Sequence, residues 1–280
     1  MHKSKLLAAV LALILGVAAL AGCGGTKAEQ QNTGELEGTL TAAGSTALLP
    51  FLKPAAEEFM KKYPKVTVNI SGGGSVTGQN QVAAGNVNIG NSDVPVVAEL
   101  KDKGLVEYDA AIAPFVFITN PANEVKGLTQ DQLIAIFTGK ITNWKEVGGK
   151  DEKIVIIHRA KSSGSRLTIK DKVLNGQEFT DNAVIQDSNG AVRAAIASTP
   201  GSIGYVDAPY LDQTVKGIAY NGVEYSAQAV KAGKWPVYAS TKMITKGPAT
   251  GLAKAFIDFV QSAEFQNNFA EKAGFLPLQK

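Results

Sequence analysis

Three short stretches of this 280-residue chain place hydroxyls beside glycine where a strand-like run gives way to a helix-like one. They are Gly44-Ser45-Thr46, Ser71-Gly72-Gly73-Gly74-Ser75 and Ser163-Gly164-Ser165. A glycine loop leading into a helix exposes unpaired N–H groups and the positive end of the helix dipole, which suits an anion. Hydroxyls add donors without adding charge. Arg159 stands four residues before Ser163, and its planar guanidinium can pair with two oxygens of a tetrahedral oxyanion. Asp93 ends the similar stretch Asn91-Ser92-Asp93. Taken singly, each feature has an ordinary reading: a capped turn, a surface ion pair, a turn-capping acid. Taken together, three loops at matching positions with one arginine and one acid point to an oxyanion site.

A serine nucleophile is the rival chemistry for the same loops, with Ser75 or Ser163 as the attacking group. It needs an adjacent base, and the chain has only two histidines, His2 and His158. His158 directly follows four apolar residues and reads as a strand end. A Ser-Lys pair stays open at this stage. Neither a Gly-x-Ser-x-Gly elbow nor a Gly-Lys-Ser/Thr phosphate loop is present. No enzymatic activity, and hence no catalytic residue, is expected. One cysteine excludes a disulfide framework and a zinc ribbon, and no metal or cofactor is expected. With 28 basic and 25 acidic residues, the net charge of +3 is too small to argue for nucleic acid.

The elements that must carry these loops repeat as strand, loop and helix. Leu40–Ala43 is short and extended. A helix follows with Phe51, Ala55 and Phe59 on one stripe, stopped at Tyr63-Pro64. Val66, Val68 and Ile70 alternate as a strand that runs into the triple-glycine loop, and a second helix reaches Gly85. Ala113–Ile118 reads as a buried strand. Thr129 opens a helix as a capping box with Gln132. Ile154–Ile157 is a continuous apolar run, as in a parallel strand covered on both faces. It delivers His158 and Arg159 into the third loop, and a helix is expected from about Arg166 to Leu174. Ile203–Val206 and a late helix carrying Leu252, Phe256, Phe259 and Val260 complete the pattern. The alternation predicts α/β architecture with mainly parallel sheets.

The N-terminus reads differently. His2, Lys3 and Lys5 precede an apolar run from Leu6 to Leu15, too short and too early for a membrane span, as in an export signal. It ends in Leu20-Ala21-Gly22-Cys23, which looks like the lipobox of bacterial lipoproteins. The only cysteine of the chain stands where a thiol would take the lipid. Residues 1–22 are therefore expected to be a lipoprotein signal peptide, Cys23 the lipidated residue, and 23–35 a flexible tether. The protein is expected outside the cytoplasm, anchored by lipid to the cell membrane.

At these residues the chain resembles the phosphate-binding component (PstS type) of bacterial phosphate ABC transporters. The likeness runs from about Leu40 to Leu278. It includes Ala43-Gly44-Ser45-Thr46, Ser71–Ser75, Ile89–Asp93, Ile136–Trp144, Arg159 with Ser163-Gly164-Ser165, Ser188-Asn189-Gly190 and Gly201–Tyr205. The resemblance implies a two-lobed venus-flytrap fold of class II with a hinge between the lobes and phosphate dehydrated in the cleft. Lobe I would join 36–114 with 240–280, and lobe II would be 115–239. The hinges would lie at Ala113–Asn120 and around Pro236–Thr241. By family position, Thr46, the N–H of Ala47 and Ser75 would contact phosphate, and Asp93 would accept a hydrogen bond from its proton. Arg159, Ser163, Gly164 and Ser165 would close the other side, with Ser45, Ser188 and Asn189 lining the cleft. Two departures stand out: Ser165 replaces the threonine of many relatives, and Asp93 places the chain with the acid-bearing members. The implied partners are inorganic phosphate and the permease subunits of an ABC transporter with its cytoplasmic ATPase, the protein acting as a monomer. Another tetrahedral oxyanion, such as sulfate or molybdate, or phosphate sensing without delivery, remains the alternative.

Overall fold

In the computed structural model, which describes residues 36–278, each glycine-hydroxyl loop joins the end of a strand to a helix. Strand β1 (Gly38–Gly44) buries Leu40, Ala42 and Ala43 and passes through Ser45–Leu48 into α1 (Leu49–Lys62). Helix α1 buries Phe51, Leu52, Ala55, Ala56 and Phe59, the expected stripe. Strand β2 (Val66–Gly72) leads through Gly73-Gly74 into α2 (Ser75–Ala84), which closes on Gly85 in the left-handed region. A short β3 (Ile89–Ser92) ends at Asp93. The expected signal peptide 1–22, the expected lipidated Cys23 and the expected tether 23–35 lie outside the described residues.

Strand β4 runs over fifteen residues, Leu105–Thr119, well beyond the apolar stretch that announced it. Its first half alternates exposed and half-buried residues such as Glu107 and Asp109, so hydropathy alone hides it. After β5 (Gly127–Leu128), α3 (Gln130–Phe137) opens on the expected Thr129–Gln132 capping box. Strand β6 (Val155–Arg159) passes into α4 (Gly164–Lys172). That helix starts two residues earlier than the sequence suggested, because the Ser163 hydroxyl caps it by accepting the Arg166 N–H. Then follow β7 (Val184–Gln186), α5 (Asn189–Ser198), β8 (Ser202–Asp207), β9 (Lys216–Tyr220), α6 (Ala227–Lys231), β10 (Tyr238–Lys246) and α7 (Gly251–Gln261).

The strands form one curled path, β2-β1-β3-β10-β4-β8-β6-β7, with β9 on β4 and β5 on β9. Parallel pairing joins β1 to β2 and β3, and β6 to β7 and β8. At the middle the pairing is antiparallel, where β10 lies between β3 and β4 and β4 meets β8. The sheet is therefore mixed rather than mainly parallel. The long strands β4 and β10 run in opposite senses along each other, and each carries the chain from one apolar cluster to the other.

Those clusters are distinct. One gathers Leu40, Phe51, Phe59, Ala113, Met243, Phe256 and Phe275. The other gathers Phe115, Phe137, Trp144, Tyr205, Trp235 and Ala239. Along β4 the change falls between Ala113 and Phe115, and along β10 between Ala239 and Met243. No helix among the described residues is long and apolar enough to cross a membrane.

Candidate functional site

The site is assembled where the strand ends of the two clusters face each other. Asp93 is its centre, with 3% of its surface exposed. Its Oδ1 accepts the Ser45 hydroxyl from the β1–α1 loop, and its Oδ2 accepts the Ser165 hydroxyl from α4 at 3.1 Å. Its own N–H donates to Ser75 Oγ at 3.0 Å. Three segments far apart in sequence thus meet on one residue, two at its carboxylate and one at its N–H. Asp93 does not cap its turn. Ser92 does that work, accepting the Val94 N–H and donating to the Val94 carbonyl.

Two glycines make this approach feasible. A Cβ on Gly164 would lie 2.2 Å from Ser75 Oγ and 2.9 Å from Asp93 Cβ. Gly74, at φ 95°, would put one 2.9 Å from the Ser162 carbonyl oxygen, which accepts the Val76 N–H at 3.0 Å. The N-termini of α2 and α4 therefore abut.

Arg159 is buried to 1% exposure and, among the described residues, forms no ion pair with a carboxylate. Its Nε donates to the Gln186 carbonyl at 3.2 Å and its Nη2 to the Asp187 carbonyl at 2.8 Å, which fixes the guanidinium plane. Burial lowers its pKa, and the charge of Asp93 opposes that. For Asp93 the balance runs the other way. Burial raises its pKa against the Ser45 hydrogen bond, the positive charge of Arg159 and the Ser165 hydroxyl and N–H.

The remaining candidates divide. Thr46 Oγ1 accepts from Asn189, whose N–H and Nδ2 both reach it at 3.3 Å. A hydroxyl that accepts still has a proton to give, so Thr46, Ser75 and Ser163 keep donors for a ligand. The Ala47 N–H donates to Ser45 Oγ at 3.0 Å. Ser188 stands as Ser163 does, its hydroxyl accepting the Ala191 N–H as the cap of α5 with its own proton still to give. His158 serves no serine: its Nδ1 lies 3.0 Å from the Arg159 carbonyl oxygen and 2.8 Å from Arg166 Nη1. Burial lowers its pKa, so it is neutral at pH 7. It braces the end of β6 that presents Arg159.

Three residues escaped sequence reasoning. Gln79, fully buried on α2, donates to Ser92 Oγ and the Pro95 carbonyl and accepts the Val97 N–H, fixing the loop that carries Asp93. Its only signal was a spacing of one helical turn from Ser75. Tyr210 donates its hydroxyl to the Thr46 carbonyl at 2.7 Å. Asp207 is fully buried, and neither carboxyl oxygen has a hydrogen-bond partner among the described residues. Burial first, and the charge of Asp93 second, push its pKa well above the usual carboxylate range. Nothing in Tyr205-Val206-Asp207 distinguishes it from a surface acid at a strand end.

Hydroxyls, helix N-termini and one fixed guanidinium around a buried acid can hold a dehydrated oxyanion that still carries a proton. Among the described residues, no cluster of three or more His, Cys, Asp or Glu could hold a metal.

Residues 26–264 match the profile of the PBP superfamily domain. The chain is 39% identical over 289 residues to the phosphate-binding protein PstS of Bacillus subtilis, covering 99% of this chain and 95% of that protein. It is 29% identical to PstS of Borreliella burgdorferi, covering 87% and 91%. A structure from Clostridium perfringens, titled as a phosphate ABC transporter substrate-binding protein with bound phosphate, superposes with a TM-score of 0.83 at 32% identity. That match covers 86% of this chain and all of the other.

Proposed function

The chain belongs to the PBP superfamily, within its phosphate-binding PstS branch, and from that membership we propose that it binds inorganic phosphate outside the cytoplasm for an ABC transporter. The observation that carries the reading is Asp93, a buried carboxylate held by the Ser45 and Ser165 hydroxyls, with Ser75 at its N–H and the charge of Arg159 acting on it. Phosphate at neutral pH keeps a proton for such an acceptor, and sulfate has none. Thr46, the Ala47 N–H, Ser75, Asp93, Arg159, Ser163, Gly164 and Ser165 form the phosphate site, with Ser45 and Asn189 beside it. Ser45 and Ser165 hold the carboxylate, and each carboxylate oxygen can still accept one more bond.

Phosphate is captured by closure of two lobes, 36–114 with 240–280 and 115–239, about the strands β4 and β10. The two apolar clusters, which change over within both strands, support this division. The protein is a receptor rather than an enzyme, a reading supported by relatives that are binding proteins and by a His158 engaged away from every site serine. It works as a monomer that hands phosphate to permease subunits, anchored through Cys23. Loss of fatty-acid labelling in Cys23→Ser checks the anchor.

Isothermal titration with phosphate, arsenate and sulfate tests the function. Phosphate should bind tightly with one site, arsenate should compete, and sulfate at millimolar concentration should not. Heat from sulfate but none from phosphate would overturn the reading.

A further inference from the structure

Tyr210 ends the short turn Ala208–Tyr210 that follows β8, and it packs with the second apolar cluster. Thr46, whose carbonyl takes its hydroxyl, lies 164 residues away in the loop between β1 and α1. Those two elements pack in the first cluster. Asn189 holds the same threonine through two donors, and its Oδ1 accepts the Asp207 N–H at 3.1 Å, which roots the pair in β8. Ala47, next to Thr46, is fully buried against the second cluster although its flanking elements belong to the first. The Tyr210 ring lies by Gly190, where a Cβ would meet its Cε1 at an ordinary 3.8 Å.

We infer that Tyr210 is a positioning residue of the phosphate site: together with Asn189 it latches Thr46 onto the second lobe and holds the cleft shut. The ligand in this inference rests on the phosphate reading, whereas the latch rests on the contacts alone. Tyrosine suits the task because it has few rotors to freeze and a polar tip. Burial pushes its pKa up to about 12, so the hydroxyl remains a donor throughout the physiological range. The bond exists only when the loops meet. Its loss should therefore speed opening and phosphate release while leaving capture by the open form unchanged, as is usual for contacts within a formed complex. A neutral hydrogen bond shifts such an equilibrium by roughly three- to ten-fold.

The variant Tyr210→Phe keeps the ring and removes one oxygen. Stopped-flow measurement on the mature protein should show phosphate released about three- to ten-fold faster, with the association rate and the circular dichroism spectrum unchanged. A packing defect alone would alter the spectrum or slow association instead. Small-angle scattering without phosphate should give a larger radius of gyration for the variant than for wild type. Release at the wild-type rate overturns the latch and leaves the phosphate reading standing. If wild type binds no phosphate, that reading falls, and the scattering comparison decides the latch by itself: equal radii overturn it.

Discussion

Asp93 and Asp207 are both buried acids at one site, yet their surroundings set them to different tasks. Asp93 has Ser45, Ser165 and the charge of Arg159 to favour its ionised form, so it can accept the proton of phosphate. A site built around such a bond can reject an analogue lacking the proton by ~10⁴-fold. In Asp93→Asn the amide can turn a donor toward sulfate. Millimolar sulfate should then displace labelled phosphate from the variant and not from wild type; equal rejection by both would clear Asp93 of the role. Because burial raises its pKa, wild type should also begin to admit sulfate on acidification at a pH above the usual carboxylate range. Among the described residues the carboxyl oxygens of Asp207 have no hydrogen-bond partner. Burial makes it hold its proton to higher pH in the folded protein than in the unfolded chain, where it ionises near its ordinary value of 3.8. The folded state thus binds the extra proton, and the stability present below pH 3.8 drains away as pH rises toward the folded pKa. Asp207→Asn removes that slope. Urea unfolding should show the variant gaining on wild type by roughly 1–3 kcal/mol between pH 3.5 and 7, the range for a buried group without partners. Parallel pH profiles would mean that Asp207 has a partner after all.

At the scale of the element, helix starts are the working parts. Helices α2, α4 and α5 begin at Ser75, Gly164 and Asn189, and each first turn lies at the site. Ser163 and Ser188 accept first-turn N–H groups as the caps of their own helices, and each hydroxyl still has its proton to give. Gly164 is the tightest position. The methyl of Gly164→Ala would collide with Ser75 and Asp93 across the cleft, while alanine is favourable within α4 itself. Overpacking of this kind costs about 1–3 kcal/mol. Phosphate affinity should fall roughly 10- to 100-fold, with the melting temperature of the phosphate-free protein lowered by no more than a few degrees. Unchanged affinity would mean that α2 and α4 do not meet when phosphate is bound.

On the scale of the whole molecule, β4 and β10 make the two clusters one structure. Thr241 lies at the bulge between Ser240 and Lys242 where β10 crosses from one cluster to the other. Its buried hydroxyl donates to the Ala111 carbonyl at 2.8 Å and accepts the Ala111 N–H at 3.2 Å. Thr241→Val strands both backbone groups and should cost about 1–3 kcal/mol. Since both clusters share the crossing strands, that loss should appear as a shift of one cooperative urea transition. Two transitions, only one of them moved, would show that the clusters unfold independently.

Much of this was legible along the chain. Strand–loop–helix units, the capping box at Thr129, the glycine-hydroxyl loops and the pairing of Arg159 with Ser163–Ser165 are local features, set by hydropathy period and by the backbone freedom of glycine. The first half of β4 was not, because Glu107 and Asp109 face outward on a half-exposed strand and interrupt its apolar signal. Nor was the mixed pairing, which depends on which distant strand lies alongside. That these loops would lie near one another was expected from sequence, but which residue bonds to which was not. That Ser45 grips Asp93 and that Tyr210 reaches Thr46 are consequences of approach between residues far apart in sequence. Sequence alone determines which donors each loop carries. Only the tertiary structure decides which of them are already spent on one another, because a hydrogen bond depends on distance in space and carries no mark in the order of residues.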